Sequence, residues 1–155
     1  MITIRKFKLP DAVSLARLHR GTIRSVNSKD YSPPEIATWS GRTSAKRFRN
    51  LGKLNDRFVA LEKRKIVGFG DYKDNEVMGL YIHKKHTGKS IGTKLLTKIE
   101  REVYASGKRT LKCISTVTAR SFYEKNGFKV VKKTIHQIQD QKLRVFEMKK
   151  RLIKI

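Results

Sequence analysis

Hydrophobic residues alternate with polar ones at the start of the chain and then repeat at helical spacing. Ile2 and Ile4 have polar neighbours, and this alternation predicts a short first strand. Pro10-Asp11 then opens a helix whose apolar residues recur three and four positions apart. The segment Ser32–Glu35 has the form of a capping box and predicts that a second helix begins at Pro33.

The rest of the chain carries strand patterns with helical patterns between them. In chain order these patterns predict a short helix at Ser44–Leu51, strands at Arg57–Glu62, Lys65–Tyr72 and Glu76–Ile82, a long helix at Ser90–Ala105, a strand at Thr110–Ser115, a short helix at Thr118–Asn126, and an antiparallel pair at Phe128–Ile138 and Lys142–Lys149. This order predicts a mixed α/β (α+β) fold. With no repeat and no linker, residues 1–155 are expected to form a single domain.

Composition adds a strong positive charge to this picture. The chain has 37 Lys and Arg against 13 Asp and Glu, for a net charge of +24. Such a surface attracts polyanions, so nucleic acid, an anionic membrane surface and phosphate-rich cofactors are all candidate partners. The charge argues against polycationic substrates such as polyamines, unless acidic residues cluster locally. A basic coat on a solvated surface explains the same composition and stays an open alternative.

Cysteine and histidine usage limits the chemistry. Cys113 is the only cysteine, which excludes an intrachain disulfide and a cysteine-based zinc site within one chain. No His, Asp and Glu are grouped at metal-ligand spacing, so no metal site is predicted. The N-terminus alternates instead of forming a signal-peptide core, and no apolar run approaches the ~20 residues of a membrane span. A cytoplasmic location is expected. The oligomeric state is open, a homodimer included.

The segment His86–Thr93, which reads HTGKSIGT, contains the Gly-Lys-Ser ending of a nucleotide-binding P-loop. The full P-loop pattern needs a glycine five positions before Gly88, where this chain has His83. The spacing therefore argues against ATP or GTP.

The position of this segment favours another anion. It joins a predicted strand to the long helix, whose first N–H groups lack helical partners. Gly88 and Gly92 leave room for a ligand, and cationic side chains lie nearby at Lys84, Lys85 and Lys89. These features indicate a diphosphate-sized anion site. A glycine turn that packs the helix tightly on the sheet explains the glycines equally well.

Two motifs resemble the GNAT superfamily, the GCN5-related N-acetyltransferases that use acyl-CoA. Residues 87–92 resemble its Gln/Arg-x-x-Gly-x-Gly/Ala loop, with Thr87 at the Gln/Arg position, Ser90 at the first glycine and Gly92 at the last. Residues Thr116–Phe128 resemble its Asn-x-x-Ala-x-x-Phe-Tyr-x-x-x-Gly-Phe segment, with Thr116 replacing Asn. The resemblance covers roughly residues 65–149.

The resemblance implies a fold and a cofactor. The fold is a central, mostly antiparallel twisted sheet flanked by helices, with splayed strands that form an acyl-CoA slot. The cofactor is acetyl-CoA. The resemblance assigns cofactor binding to Leu80, Tyr81, Ile82, Thr87, Gly88, Lys89, Ser90, Ile91, Gly92, Thr93, Thr116 and Tyr123.

The resemblance also suggests catalytic roles. Tyr123 is the expected acid that protonates the departing thiolate, with packing under the sheet as the alternative. A backbone N–H near Leu80 or Tyr81 is expected to polarise the thioester carbonyl. Glu76 is the candidate base, although a solvated glutamate at a strand end is the more common situation. The acceptor pocket has two candidate wall residues, which helix-to-sheet packing explains equally well: Tyr31 and Trp39.

The predicted function is an N-acetyltransferase that moves an acetyl group from acetyl-CoA to a primary amine by direct attack. The charge of +24 supports an alternative, a basic GNAT-like module that binds nucleic acid or a ribonucleoprotein with little catalysis. An acyltransferase acting on a nucleic-acid-associated protein satisfies both observations. The acceptor itself is not specified by the sequence.

Overall fold

A computed structural model describes residues 1–155. Seven strands form one sheet, in the spatial order β1-β2-β3-β4-β5-β7-β6. The strands are β1 (Ile2–Lys6), β2 (Asp56–Glu62), β3 (Lys65–Lys73), β4 (Glu76–Ile82), β5 (Thr110–Thr116), β6 (Lys129–Ile138) and β7 (Gln141–Arg151). The helices are α1 (Ala12–Ser25), α2 (Pro33–Gly41), α3 (Ala45–Leu51), α4 (Ile91–Ala105) and α5 (Arg120–Lys125). None of the helices has both the length and the apolar content needed to cross a membrane.

Local sequence rules explain where the first helices begin. The capping box predicted before α2 is present: Ser32 N–H donates to Glu35 Oε1 at 2.8 Å, and Glu35 N–H donates to Ser32 Oγ at 3.4 Å. Ser44 caps α3 by accepting from the N–H of Arg47 at 3.0 Å. At the other end of the chain, α5 begins at Arg120 and not at the predicted Thr118. The residues just before it form a turn instead of helix.

The sheet separates two layers of helices. One face is covered by α4 and α5, and the largest hydrophobic cluster lies there, with Leu95, Ile99 and Tyr123 among its buried members. The opposite face is covered by α1, α2 and α3, whose apolar residues form two smaller clusters. All neighbouring strands are antiparallel except β4 and β5. The predicted mixed fold with a mostly antiparallel sheet is therefore confirmed.

The sheet opens between β4 and β5. These parallel strands are paired only at Glu76 with Lys112 and at Val77 with Cys113. Directly after Val77, the register between β3 and β4 skips Met78, which is the extra residue of a β-bulge. A bulge bends its strand and increases the local twist, so β4 turns away from β5 from this point on. The bulge thus produces the splayed strands that the resemblance implied.

Candidate active site

The loop before α4 is held in a shape that depends on left-handed backbone. Gly88 has a φ of 80° and Ser90 has a φ of 63°. A Cβ built on Gly88 meets no other heavy atom within 4 Å, so the space above this residue is open. Glycine adopts this backbone at little cost, whereas serine is strained in it. The conformation of Ser90 explains why a glycine fits the corresponding position of the resembling motif.

The start of α4 carries the positive end of the helix dipole, and no acidic side chain compensates it. Ser90 precedes the helix but makes no capping bond with its side chain, and the first turn contains no acidic residue. The first backbone N–H groups are therefore free to bind an anion. Ile91 points into the core with 1% exposure, so it offers the loop only its backbone. Exposed cationic side chains lie close along the chain at Lys84, Lys85 and Lys89.

Gly92 has a different role from Gly88. A Cβ built on Gly92 would lie 2.9 Å from Cε1 of Phe122 on α5, which is too close for any real contact. The absence of a side chain here lets α4 pack against α5. The two explanations that the sequence left open therefore apply to different glycines: tight packing accounts for Gly92, and open space beside the free N–H groups distinguishes Gly88.

The gap between β4 and β5 forms a slot with unpaired backbone. The N–H of His83 donates to a carbonyl of β3 at 2.8 Å. Because donors alternate in direction along an antiparallel ladder, the N–H of Tyr81 also faces β3, and those of Leu80 and Ile82 face the gap. The carbonyl of Ile82 points the same way and accepts from the Thr22 hydroxyl at 3.2 Å. Of the two amides proposed for the thioester carbonyl, this direction favours Leu80.

A cavity of about 190 Å³ occupies this slot. Six of the predicted cofactor-binding residues line it: Leu80, Tyr81, Ile82, Thr87, Thr116 and Tyr123. Thr116 also shapes the approach to α5, because its Oγ1 accepts from the N–H of Ala119 at 3.1 Å. The other predicted cofactor residues, Gly88–Thr93, follow Thr87 and lead into α4. The structure thus brings the two sequence motifs to one slot.

Tyr123 lies between the slot and the core. It is 5% exposed, packs edge-on against Phe122 and Phe128, and lines the slot. Burial raises the pKa of its phenol well above the usual value, and the nearby Cys113 and Tyr81 raise it further. The phenol is therefore protonated at neutral pH and can act as a hydrogen-bond donor. Packing and chemistry are compatible at this residue.

A second cavity, of about 340 Å³, opens on the other side of the splay. It shares six wall residues with the slot, all on β4 or β5: Val77, Met78, Gly79, Tyr81, Ile114 and Thr116. Glu76 lines this second cavity and not the slot. Trp39 also lines it. The two cavities meet where β4 leaves β5.

Tyr31 is placed differently from Trp39. It packs edge-on against Trp39, with ring centroids 5.5 Å apart, but it does not line the second cavity. Its hydroxyl donates to the carbonyl of Arg144 and accepts from the N–H of Val117 at 2.9 Å. Tyr31 therefore supports the wall from behind and ties the loop before α2 to β7.

Comparison with known proteins identifies the family. The sequence model of the acetyltransferase (GNAT) domain matches residues 27–152. The chain belongs to the GNAT acetyltransferase family. Its fold agrees with this family as well. A GCN5-related N-acetyltransferase structure from Rhodopseudomonas palustris superposes with a TM-score of 0.93 at 23% identity, covering 97% of this chain and 95% of that one.

Further matches come from Thermoplasma acidophilum. A spermidine N(1)-acetyltransferase is 30% identical over 145 residues, which span 83% of this chain and 89% of that protein. The structure of PaiA N-acetyltransferase in complex with coenzyme A has a TM-score of 0.80 and 26% identity, covering 97% of this chain and 99% of the other. An uncharacterized N-acetyltransferase of Escherichia coli, YafP, is 24% identical over 131 residues, 84% of this chain and 83% of that protein.

Several residues of this GNAT site were not foreseen from the sequence. Arg42 and Arg47 line the second cavity, together with His19 and His136. They come from α1, the end of α2, α3 and β6, and no spacing along the chain connects them. Their shared location follows only from the packing of these elements over one end of the sheet.

Two other titratable residues near the site are already engaged or inert. Asp71 is buried and bonded by both carboxylate oxygens to the guanidinium of Arg57. Cys113 is 1% exposed, and burial, with a smaller effect of Glu76, raises the pKa of its thiol to about 12. A thiol with this pKa is not a thiolate nucleophile at neutral pH. Glu76 is thus the free carboxylate at the second cavity.

Proposed function

We propose that this chain transfers an acetyl group from acetyl-CoA to a primary amine, and that the amine enters from the second cavity. The observation that carries this proposal is the meeting of the two cavities at the bulge of β4. A donor held on one side of the strand and an acceptor held on the other reach each other only there. Such an arrangement favours direct attack within a ternary complex, without a covalent enzyme intermediate.

The residues at the start of α4 suit a diphosphate. The backbone N–H groups of Gly88–Thr93 are available, no carboxylate competes for them, and the space over Gly88 is open. Coenzyme A is the ligand of the PaiA protein, which is 26% identical to this chain. Acetyl-CoA supplies an activated acetyl group as a thioester. The start of α4 would hold its diphosphate by main-chain hydrogen bonds and the helix dipole.

The slot suits an extended arm of the donor. The amides of Leu80 and Ile82 lie on the edge of β4 that faces β5, where β4 has no partner strand. An extended amide-containing chain binds such an edge as an added strand. The remaining predicted cofactor residues around the slot, Tyr81, Thr87 and Thr116, would flank this arm.

Three groups would then carry the chemistry. The N–H of Leu80 stabilises negative charge on the acetyl oxygen as the amine attacks. The protonated phenol of Tyr123 donates to the departing sulfur. Glu76 accepts the proton that the amine loses, directly or through a water molecule. The placement of Tyr123 on the slot and Glu76 on the second cavity supports this division of roles.

The test of this proposal compares Gly88→Glu with Gly88→Gln. Both variants impose the same strain at φ 80°, so they differ only in the charge brought to the phosphate position. For the wild-type protein, acetyl-CoA at 100 times its Kd should raise the free energy of unfolding by about 2.7 kcal/mol. We expect Gly88→Gln to retain more of this stabilisation than Gly88→Glu. Equal responses of the two variants, or no response of the wild type, would contradict the phosphate site.

Transfer itself is measured as free thiol released from acetyl-CoA in the presence of amines. Spermidine belongs in the panel because it is the acceptor named for the relative that is 30% identical. A short RNA tests the prediction from the net charge of +24. Stabilisation by RNA that weakens steeply with salt, combined with no response to acetyl-CoA, would favour a nucleic-acid-binding module over the transferase. Location in the cytoplasm and homodimer formation stay predictions.

A further inference from the structure

We propose that the acceptor of this enzyme is a small primary amine that also carries an oxyanion group, either a carboxylate or a phosphate, bound by Arg42 and Arg47. This inference rests on the proposed transferase function, because it describes the ligand of the second cavity. It concerns two cationic side chains that the proposed chemistry does not use. Arg42 ends α2, and Arg47 lies on α3. Both line the cavity.

Neither of these arginines has a carboxylate partner, although both line a cavity. Arg5 is paired with Asp11, and the buried Arg57 is paired with Asp71. No ion pair or side-chain hydrogen bond engages the guanidinium group of either Arg42 or Arg47. Two unpaired guanidinium groups at one cavity repel each other unless an anion lies between them. The planar guanidinium fork binds carboxylates and phosphates through paired hydrogen bonds.

The acidic residues of the cavity do not cancel this charge. Asp71 is neutralised by Arg57, which leaves Glu76 as the free carboxylate. The positive charge also contributes to the lowered pKa of a neighbouring histidine. Burial is the main cause that lowers the pKa of His19 to about 3, and nearby guanidinium groups, those of Arg47 and Arg42 included, lower it further.

The cavity also limits the size of the acceptor and the polarity of its central part. Its volume of about 340 Å³ is at the small end of the range for small-molecule sites. Much of its wall is apolar, from residues such as Trp39, Phe48 and Leu143. These walls suit a ligand that is apolar between its charged groups. Glu76 lies on β4, and the arginines lie at the helices opposite it. An amino acid with an apolar side chain has the three matching groups: an amine for Glu76, a carboxylate for the arginines and an apolar side chain for the wall.

The first experiment measures binding with Trp39, the only tryptophan of the chain, as a fluorescent reporter in the cavity wall. Two matched pairs are titrated, with and without coenzyme A: phenylalanine against phenethylamine, and phosphoethanolamine against ethanolamine. Spermidine is the polycationic control. We expect at least one anionic member to bind about tenfold more tightly than its neutral match, and the pair that responds identifies carboxylate or phosphate. Equal binding within both pairs, tighter binding of spermidine, or no binding of any probe would overturn the inference.

The second experiment assigns the effect to the arginines. In Arg42→Gln/Arg47→Gln, the advantage of the anionic probe should fall to less than threefold, and each single variant should lose part of it. Arg49→Gln is the matched control, since Arg49 is an exposed residue on the same helix α3 and does not line the cavity. An unchanged preference in the double variant would overturn the inference. Stabilisation by acetyl-CoA, measured on the same variants, tests the proposed function separately. A wild-type protein that acetyl-CoA does not stabilise would contradict the proposed function without altering the Trp39 titration.

Discussion

The two cavities that meet at β4 are built from different parts of the polypeptide. The proposed donor side uses mainly backbone: free N–H groups at the start of α4 and an unpaired strand edge at Leu80 and Ile82. The proposed acceptor side uses side chains, and it combines Trp39, Arg42 and Arg47 with residues from distant elements such as Glu76 and His136. A main-chain site depends on loop geometry, and a side-chain site depends on which residues the packing brings together.

This difference predicts how each side responds to mutation. On the donor side, substitutions should act through backbone conformation or by adding a charge at the phosphate position. On the acceptor side, removing a single side chain should change the choice of ligand and leave the donor site intact. We expect three effects that test this separation, and the largest is at Tyr123, which lines the slot.

Replacing Tyr123 with Phe should give the largest effect. Loss of the proton donor is expected to lower kcat about 100-fold, or about 2.7 kcal/mol in the barrier, while acetyl-CoA affinity changes by less than about twofold. Steady-state thiol release and a thermal shift with acetyl-CoA measure the two quantities. Tyr104→Phe, near the far end of α4, is the control and should leave kcat unchanged. An unaltered kcat in Tyr123→Phe would remove Tyr123 from the acid role.

His19 tests, through protein stability, its burial beside the arginines of the second cavity. In the folded chain its pKa is lowered to about 3, whereas the unfolded chain takes up the proton near 6.5. Since the unfolded state binds more protons between these values, stability is lost as the pH falls below 6.5. From pH 7 to pH 5, the wild type should lose about 2 kcal/mol relative to His19→Gln. Urea unfolding at both pH values measures this difference, and parallel losses in the two proteins would contradict the lowered pKa.

Ser90→Gly tests the backbone of the donor side and should give the smallest effect. Glycine removes the strain of the left-handed conformation at φ 63°, which should raise the free energy of unfolding by about 1 kcal/mol. The matched control is Ser106→Gly at the other end of α4, where the backbone is right-handed and the same change should destabilise the protein. Thermal or urea unfolding measures both. A destabilised Ser90→Gly would show that the serine side chain outweighs the strain.

The contrast between the two sides also explains how much the sequence could predict. The strands, the helices and the capping box at Ser32 were predictable because each depends on local periodicity or on a side-chain bond a few residues away. The segments of the proposed donor side were recognisable as well, since the loop Thr87–Thr93 and the segment Thr116–Phe128 are each continuous in sequence. Their placement beside one slot depends on the single crossover from β4 through α4 to β5.

The acceptor side was not predictable for a physical reason. Arg42 and Arg47 are ordinary helix-end and helix-surface residues in a chain with 37 Lys and Arg, and nothing local distinguishes them. The bulge at Met78 also has no sequence signature, because it is defined by the register against β3. Tyr31 shows the converse case: an aromatic residue near Trp39 in sequence packs behind the wall instead of forming it.

The pairing of β4 with β5 at only two positions has a mechanical consequence. The strands β1–β4 and the strands β5–β7 form two subsheets that are joined at one end and diverge from there. A linear ligand lying between the two subsheets would contact both of them. Amide hydrogens near the bulge should then exchange with solvent more slowly, even in residues of β5 that the ligand does not touch.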